Sequence, residues 1–177
     1  MDSWRAGCGG SRKSGSGDGP GRRTCREADT ASRSDPTLLA GRDHLGLSSL
    51  AREHAAALVT RVRPQMLERL EGHRAGGDRV VIVSASPELY LHAVGEALGV
   101  DAVLGTRLEV GADGRLTGAL VGRNCRGPEK VSRLKAWISE LVGPGGAPPH
   151  LCAYGDSAGD AELMALADVA TWVGRRR

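Results

Sequence analysis

Three observations predict an α/β protein with a parallel sheet flanked by helices. Residues 79–84 (RVVIVS) form a short, almost wholly apolar run rich in β-branched side chains, the pattern of a central parallel strand buried on both faces. Stretches of helical periodicity alternate with further short apolar runs, and turn residues mark the junctions. Residues 1–44 carry neither signal: they are dense in Gly, Ser, Arg and Asp, and we expect a disordered or non-native N-terminal segment ahead of one domain at 45–177.

Within that domain, Leu47, Leu50, His54, Ala57, Leu58 and Val62 are spaced for one helical face. Pro64 suits the first turn of a second helix, with Met66, Leu67 and Leu70 inward and Gly76-Gly77 at its end. After the strand at 79–84, Ser86 is read as a helix cap and Pro87 as the first helical position, with Leu91, Val94 and Leu98 as the apolar stripe and Gly99 as the stop. Residues 102–106 read as a second strand. Residues 107–110 and 115–121, on either side of Gly111-Ala112-Asp113-Gly114, read as a β-hairpin inserted in the αβ pattern. Pro128 opens a helix with Val131, Leu134, Ile138 and Leu141 on its buried face. Residues 151–154 are a third strand, followed by a turn at Gly155-Asp156, a helix to about 167 and a last strand at 169–173.

Charge and composition exclude several classes. Twenty-four basic and 21 acidic side chains give a net charge of +3, which does not describe a nucleic-acid binder. No apolar run approaches 18 residues and no apolar leader opens the chain, so neither a membrane span nor a secretory signal is expected. Cys8, Cys25, Cys125 and Cys152 form no CxxC pair, which fits reduced thiols in a cytoplasmic protein; Cys125 reads as part of a polar loop. The histidines make no metal-spaced cluster. Arg supplies nearly all the positive charge, and the lysines are Lys13, Lys130 and Lys135, so a lysine here is less apt to be surface filler.

In a parallel sheet, ligands bind beyond the carboxyl ends of the strands, which singles out Ser84, Ser86 and Asp156. A hydroxyl at Ser84 can donate to a phosphate oxygen, helped by the amides of Ala85 and Ser86; for Ser86 the plainer helix-cap reading is preferred. Lys130 stands in the first turn of its helix, where a cation opposes the helix dipole, and so points to an anionic partner. Asp156 and Asp160 lie one helical turn apart and can face one point, as a hard cation such as Mg2+ requires; the alternative is an Asp cap beside a solvated Asp. Gly155-Asp156-Ser157-Ala158-Gly159 also satisfies the nucleophile-elbow pattern G-x-S-x-G, but no histidine follows His150 to complete a triad in the elbow's order.

Strand-end Ser84, helix-start Lys130 and strand-end Asp156-x-x-x-Asp160, in that order, resemble three motifs of the haloacid-dehalogenase-like (HAD) hydrolases, most closely the branch that includes phosphoserine phosphatase. The matching segments are VVIVSASPELY, TRLEVGADGRLTG, NCRGPEKVSRL and AYGDSAGDAELMALAD, within a resemblance spanning residues 47–172. It implies a Rossmann-like core at 77–173, preceded at 45–76 by the remnant of a helical cap and its return to the core. It further implies Mg2+-dependent hydrolysis of a small phosphorylated substrate through a phospho-aspartate. Ser84 and Ala85 would bind the phosphoryl group, Lys130 would neutralise its charge, and Asp156 would ligate Mg2+ with support from Asp160.

The family's attacking group lies in Asp-x-Asp-x-Thr after an N-terminal strand, and no Asp-x-Asp occurs in the 177 residues. The nearest echo, residues 33–38 (RSDPTL), puts Arg33 in the nucleophile's place with no apolar strand before it. The expectation is a truncated or frameshifted phosphatase with little or no activity as given. The alternative is a non-catalytic phosphate- and metal-binding remnant.

Overall fold

The computed structural model describes residues 36–174. Its strands form two parallel pairs and a hairpin. β1 (Val81–Pro87) runs parallel to β2 (Ala102–Thr106), with Val81 opposite Ala102 and Val83 opposite Leu104; α3 (Glu88–Leu98) connects them. The antiparallel hairpin of β3 (Leu108–Val110) and β4 (Leu116–Leu120) follows. After α4 (Pro128–Val142), β5 (Cys152–Gly155) runs parallel to β6 (Val169–Trp172), joined by a 3-10 turn (Ala158–Asp160) and α5 (Ala161–Leu166). α1 (His44–Val59) and α2 (Pro64–Ala75) precede the sheet. The α/β class, the hairpin and the flanking helices are as the sequence predicts.

β1 differs from the expected central strand. Its residues are all half-buried, and among the described strands it pairs with β2 alone, as β5 does with β6. Between the two pairs lies a cavity of about 410 Å3, walled by Val81 and Val83 of β1, Ala153 and Tyr154 of β5, and Leu134 and Leu163 of the helices. A continuous apolar run reports that both faces of a strand are covered; it says nothing about which edge is paired.

α1 starts at His44 because the Asp43 carboxylate accepts from Gly46 N at 2.5 Å, an N-cap that periodicity does not reveal. Its inward face matches the predicted one only in part: Leu47 and Leu58 are half-buried as expected. Ala51 and Ala55 are buried while Leu50 is 59% exposed, and His54 lies outward with its ring edge-on to Tyr90 at 5.1 Å. α1 packs on α3, where small side chains permit close approach. α3 also approaches β2 closely: a Cβ at buried Gly95 would lie 2.6 Å from Val103 Cγ2. In α2 no residue is buried, and Leu67, expected inward, is exposed.

Two further expectations change. Residues 36–43, counted with the unstructured segment, form a 3-10 turn (Pro36–Leu39) and a bridge to the hairpin, with Gly41 N donating to Leu116 O and Asp43 paired to Arg115. Residues 1–35, with Arg33 and most of the expected disordered segment, lie outside the described residues. Cys125 lies in a loop as expected but is fully buried there; its Sγ donates to Leu104 O at 3.4 Å. Burial pushes its thiol pKa up, against the lowering pull of Arg133 and Lys130.

Candidate active site

The carboxyl ends of β1 and β5 meet the start of α4 at a cleft of about 740 Å3. Ser84, Ala85 and Ser86 reach it from β1, Asn124, Arg126 and Lys130 from the loop and first turn of α4, and Asp156, Ser157 and Asp160 from the turn after β5. All the residues predicted for the site therefore share one cleft, although the structure gives several of them different work.

α4 enters through Gly127, whose φ of 56° suits glycine and whose N–H donates to Gly159 O at 3.1 Å, fixing the helix start against the β5 turn. From there Lys130 extends inward until its side chain is only 9% exposed. Its ammonium donates to Val83 O at 3.0 Å and to Asp160 Oδ1 at 2.5 Å. The anionic partner expected for a lysine at a helix start is thus present within the chain.

Asp160 is the hub of the turn. Its Oδ2 accepts from Ser157 Oγ at 2.8 Å, Ser157 N at 3.1 Å and Asp156 N at 3.3 Å, in a reciprocal capping box with Ser157. Burial alone would raise the Asp160 pKa; the hydrogen bonds from Lys130 and Ser157 and the charge of Lys130 outweigh it and hold the carboxyl below its ordinary value. Across the 3-10 turn at residues 158–160, the Asp156 and Asp160 carboxylates take different partners. The expected carboxylate pair is divided, Asp160 turning inward to Lys130 and Asp156 outward with its side chain 60% exposed. Ser157 spends its hydroxyl proton on Asp160, so the G-x-S-x-G match describes a cap and not a nucleophile.

At β1, Ser84 Oγ accepts from Ser86 N at 3.2 Å, and α3 begins only at Glu88 with no side-chain cap. Ser86 is therefore not the helix cap; the strand runs three residues further than predicted, to Pro87, and Ser84 shapes its end. Ala85 O accepts from Thr106 Oγ1 at 2.7 Å, which fixes this end of β1 to β2.

The structure adds Arg63, which sequence reasoning missed. It immediately precedes α2, and its guanidinium donates to Val173 O at 3.1 Å and to Asp156 Oδ2 at 3.4 Å. In a chain this rich in arginine no local pattern marks it.

Mg2+ is commonly held by one or two carboxylates together with waters and phosphate oxygens. Among the described residues no group of three or more His, Cys, Asp and Glu is arranged around a metal position. Asp156 fits as a direct ligand, since its carboxylate opens to the cleft. Asp160, saturated with donors, fits as the residue that holds the turn.

The model of the haloacid dehalogenase-like hydrolases matches residues 19–165. Protein CicA of Caulobacter vibrioides (strain NA1000 / CB15N) is 44% identical over 107 residues, covering 60% of this chain and 46% of that protein. The histidinol-phosphatase of Neisseria meningitidis serogroup C (strain 8013) is 28% identical over 121 residues, 68% of this chain and 54% of its own length. The chain thus spans about half the length of these curated relatives. In fold it resembles a probable phosphoserine phosphatase from Vibrio cholerae, with a TM-score of 0.57 and 22% identity over 77% of this chain and 39% of that one. A family match over most of the chain identifies it: the chain belongs to the haloacid dehalogenase-like hydrolase family.

Proposed function

We propose that this chain carries the phosphate- and metal-holding part of a Mg2+-dependent phosphatase acting on a small phosphate monoester, and that by itself it turns over little or none. The observation that carries the reading is the shared cleft of Ser84, Lys130 and Asp156 at the ends of β1 and β5. The Ser84 hydroxyl and the Ala85 amide would donate to phosphoryl oxygens. Lys130 has three N–H donors, of which Val83 O and Asp160 engage two, leaving one for phosphate. Asp160, kept ionised, holds that ammonium in place. Mg2+ on Asp156 would supply positive charge against the phosphoryl oxygens. Phosphatase chemistry is also the named activity of the Neisseria relative.

The family's covalent step forms a bond from an aspartate carboxylate to phosphorus and expels the alcohol. No Asp-x-Asp occurs in the 177 residues, and a cavity of about 410 Å3 is lined by residues of both β1 and β5, which are not paired with each other. We read it as the place of the strand that would end in the attacking aspartate. This supports a truncated or frameshifted enzyme. The same missing carboxylate favours the second reading, a non-catalytic phosphate- and metal-binding protein.

Phosphate binding tests the part common to both readings. Titration of the pure chain with inorganic phosphate in the presence of Mg2+, followed by calorimetry, should show saturable binding. Ser84→Ala should weaken it about tenfold, the size of a lost hydrogen bond to a charged group. Binding unchanged by Ser84→Ala and by Asp156→Asn, in folded variants, would place phosphate elsewhere and remove the reading.

A further inference from the structure

We propose that Arg63 is a built-in competitor for the cation site at Asp156, one that ties the α1–α2 linker to the cleft until a divalent cation displaces it. The inference rests on the proposed role of Asp156 as a metal ligand. One guanidinium reaches both the Asp156 carboxylate and Val173 O, so it joins the ends of β5 and β6 to the linker between the two helices. That linker is short: α1 ends at Val59 and α2 starts at Pro64, whose ring fixes the first turn of α2 next to Arg63.

The contact is built to be displaced. The Arg63 and Asp156 side chains are 43% and 60% exposed, and an ion pair that open contributes little. α2 buries none of its own residues completely, and two of its ties to β5 converge on one side chain, Tyr154: His73 Nε2 to Tyr154 Oη at 2.8 Å and the Arg69 guanidinium 5.2 Å from the ring. Arginine keeps its proton at every working pH, so the pair is not released by loss of the Arg63 charge, and a divalent cation that coordinates the Asp156 carboxylate competes for it directly. Asp160 offers no second seat, because Lys130 and Ser157 already occupy its oxygens.

The test uses Mn2+ as a paramagnetic probe for the same oxygen ligands, read by EPR on the full chain, with circular dichroism to verify each fold. Arg63→Met should tighten Mn2+ binding about three- to tenfold, the combined effect of a weak exposed pair and one nearby positive charge removed. Arg61→Met, which removes a charge that lines the same cleft without the Asp156 contact, should stay within about twofold on the same reasoning. Asp156→Asn should abolish the site. Loss with Asp156→Asn but no tightening with Arg63→Met overturns the competitor role and leaves the metal reading standing. Equal tightening in Arg61→Met and Arg63→Met also overturns it. Unchanged affinity in Asp156→Asn, or no Mn2+ binding by any variant, overturns the metal reading and this inference with it. As a second readout, Mn2+ should speed tryptic cleavage after Arg61 in the wild type and have no effect in Arg63→Met; a wild-type rate that ignores Mn2+ contradicts the tie.

Discussion

Replacing Lys130 by Met, or Asp160 by Asn, would leave one charge of a buried pair without its partner. The two side chains are 9% and 10% exposed and joined at 2.5 Å, so solvent screens neither. Removing one member of such a pair costs about 3–5 kcal/mol. A domain of ordinary stability has only about 5–15 kcal/mol in total, so either single variant should be severely destabilised. Removing both charges strands neither. The combined variant loses the Val83 O contact and weakens the Ser157 cap, yet it should cost about as much as one single change, roughly 3–5 kcal/mol, and far less than the sum of two. Urea unfolding followed by far-ultraviolet circular dichroism gives the four free energies of the cycle. Coupling of about 3 kcal/mol is expected. Additive losses, or single losses near 1 kcal/mol, would mean that the pair is solvated and that Asp160 does not hold Lys130.

The same carboxylate predicts acid behaviour. Its folded pKa lies below the ordinary value of about 3.9, so its contribution is present above that pH and is lost as pH falls through the folded value. Stability measured below about pH 4 should therefore drop more steeply in the wild type than in Asp160→Asn. Asp101 shares this sense: burial alone would raise its pKa, and donation from Val80 N and Arg79 holds it below the ordinary value in both proteins, leaving the difference to Asp160. Gly95→Ala should destabilise by about 1–3 kcal/mol despite the better helix propensity of alanine, because its Cβ meets Val103 Cγ2 at 2.6 Å, and Val103→Ala added to it should recover much of the loss. Equal thermal midpoints for the wild type and Gly95→Ala would remove that contact as a cause.

The parts of the fold legible in sequence are those whose signal is local. β2, the hairpin, α3 with its Gly99 stop and α4 from Pro128 stand within a residue or two of their predicted places, because alternation, periodicity and turn chemistry act over a few residues. What depends on a partner was not legible. The inward face of α1 follows Ala51 and Ala55 because α3 lies close, whereas periodicity gives weight to Leu50, which faces solvent. Cys125 is buried by a loop that folds inward. At the site, order along the chain brought Ser84, Lys130 and Asp156 together on paper, but the spacing of Asp156 and Asp160 assumed an α-helical turn where a 3-10 turn forms. Arg63 comes from a distant element, and its contact with Asp156 exists only once the chain is folded.

The central claim is that these residues hold phosphate and metal without an attacking carboxylate. Turnover of p-nitrophenyl phosphate by the purified chain, with saturating Mg2+, tests it most directly. The account predicts release no faster than in a matched Asp156→Ala sample. Steady turnover in the wild type that disappears in Asp156→Ala would contradict it, for it would require a nucleophile within these 177 residues.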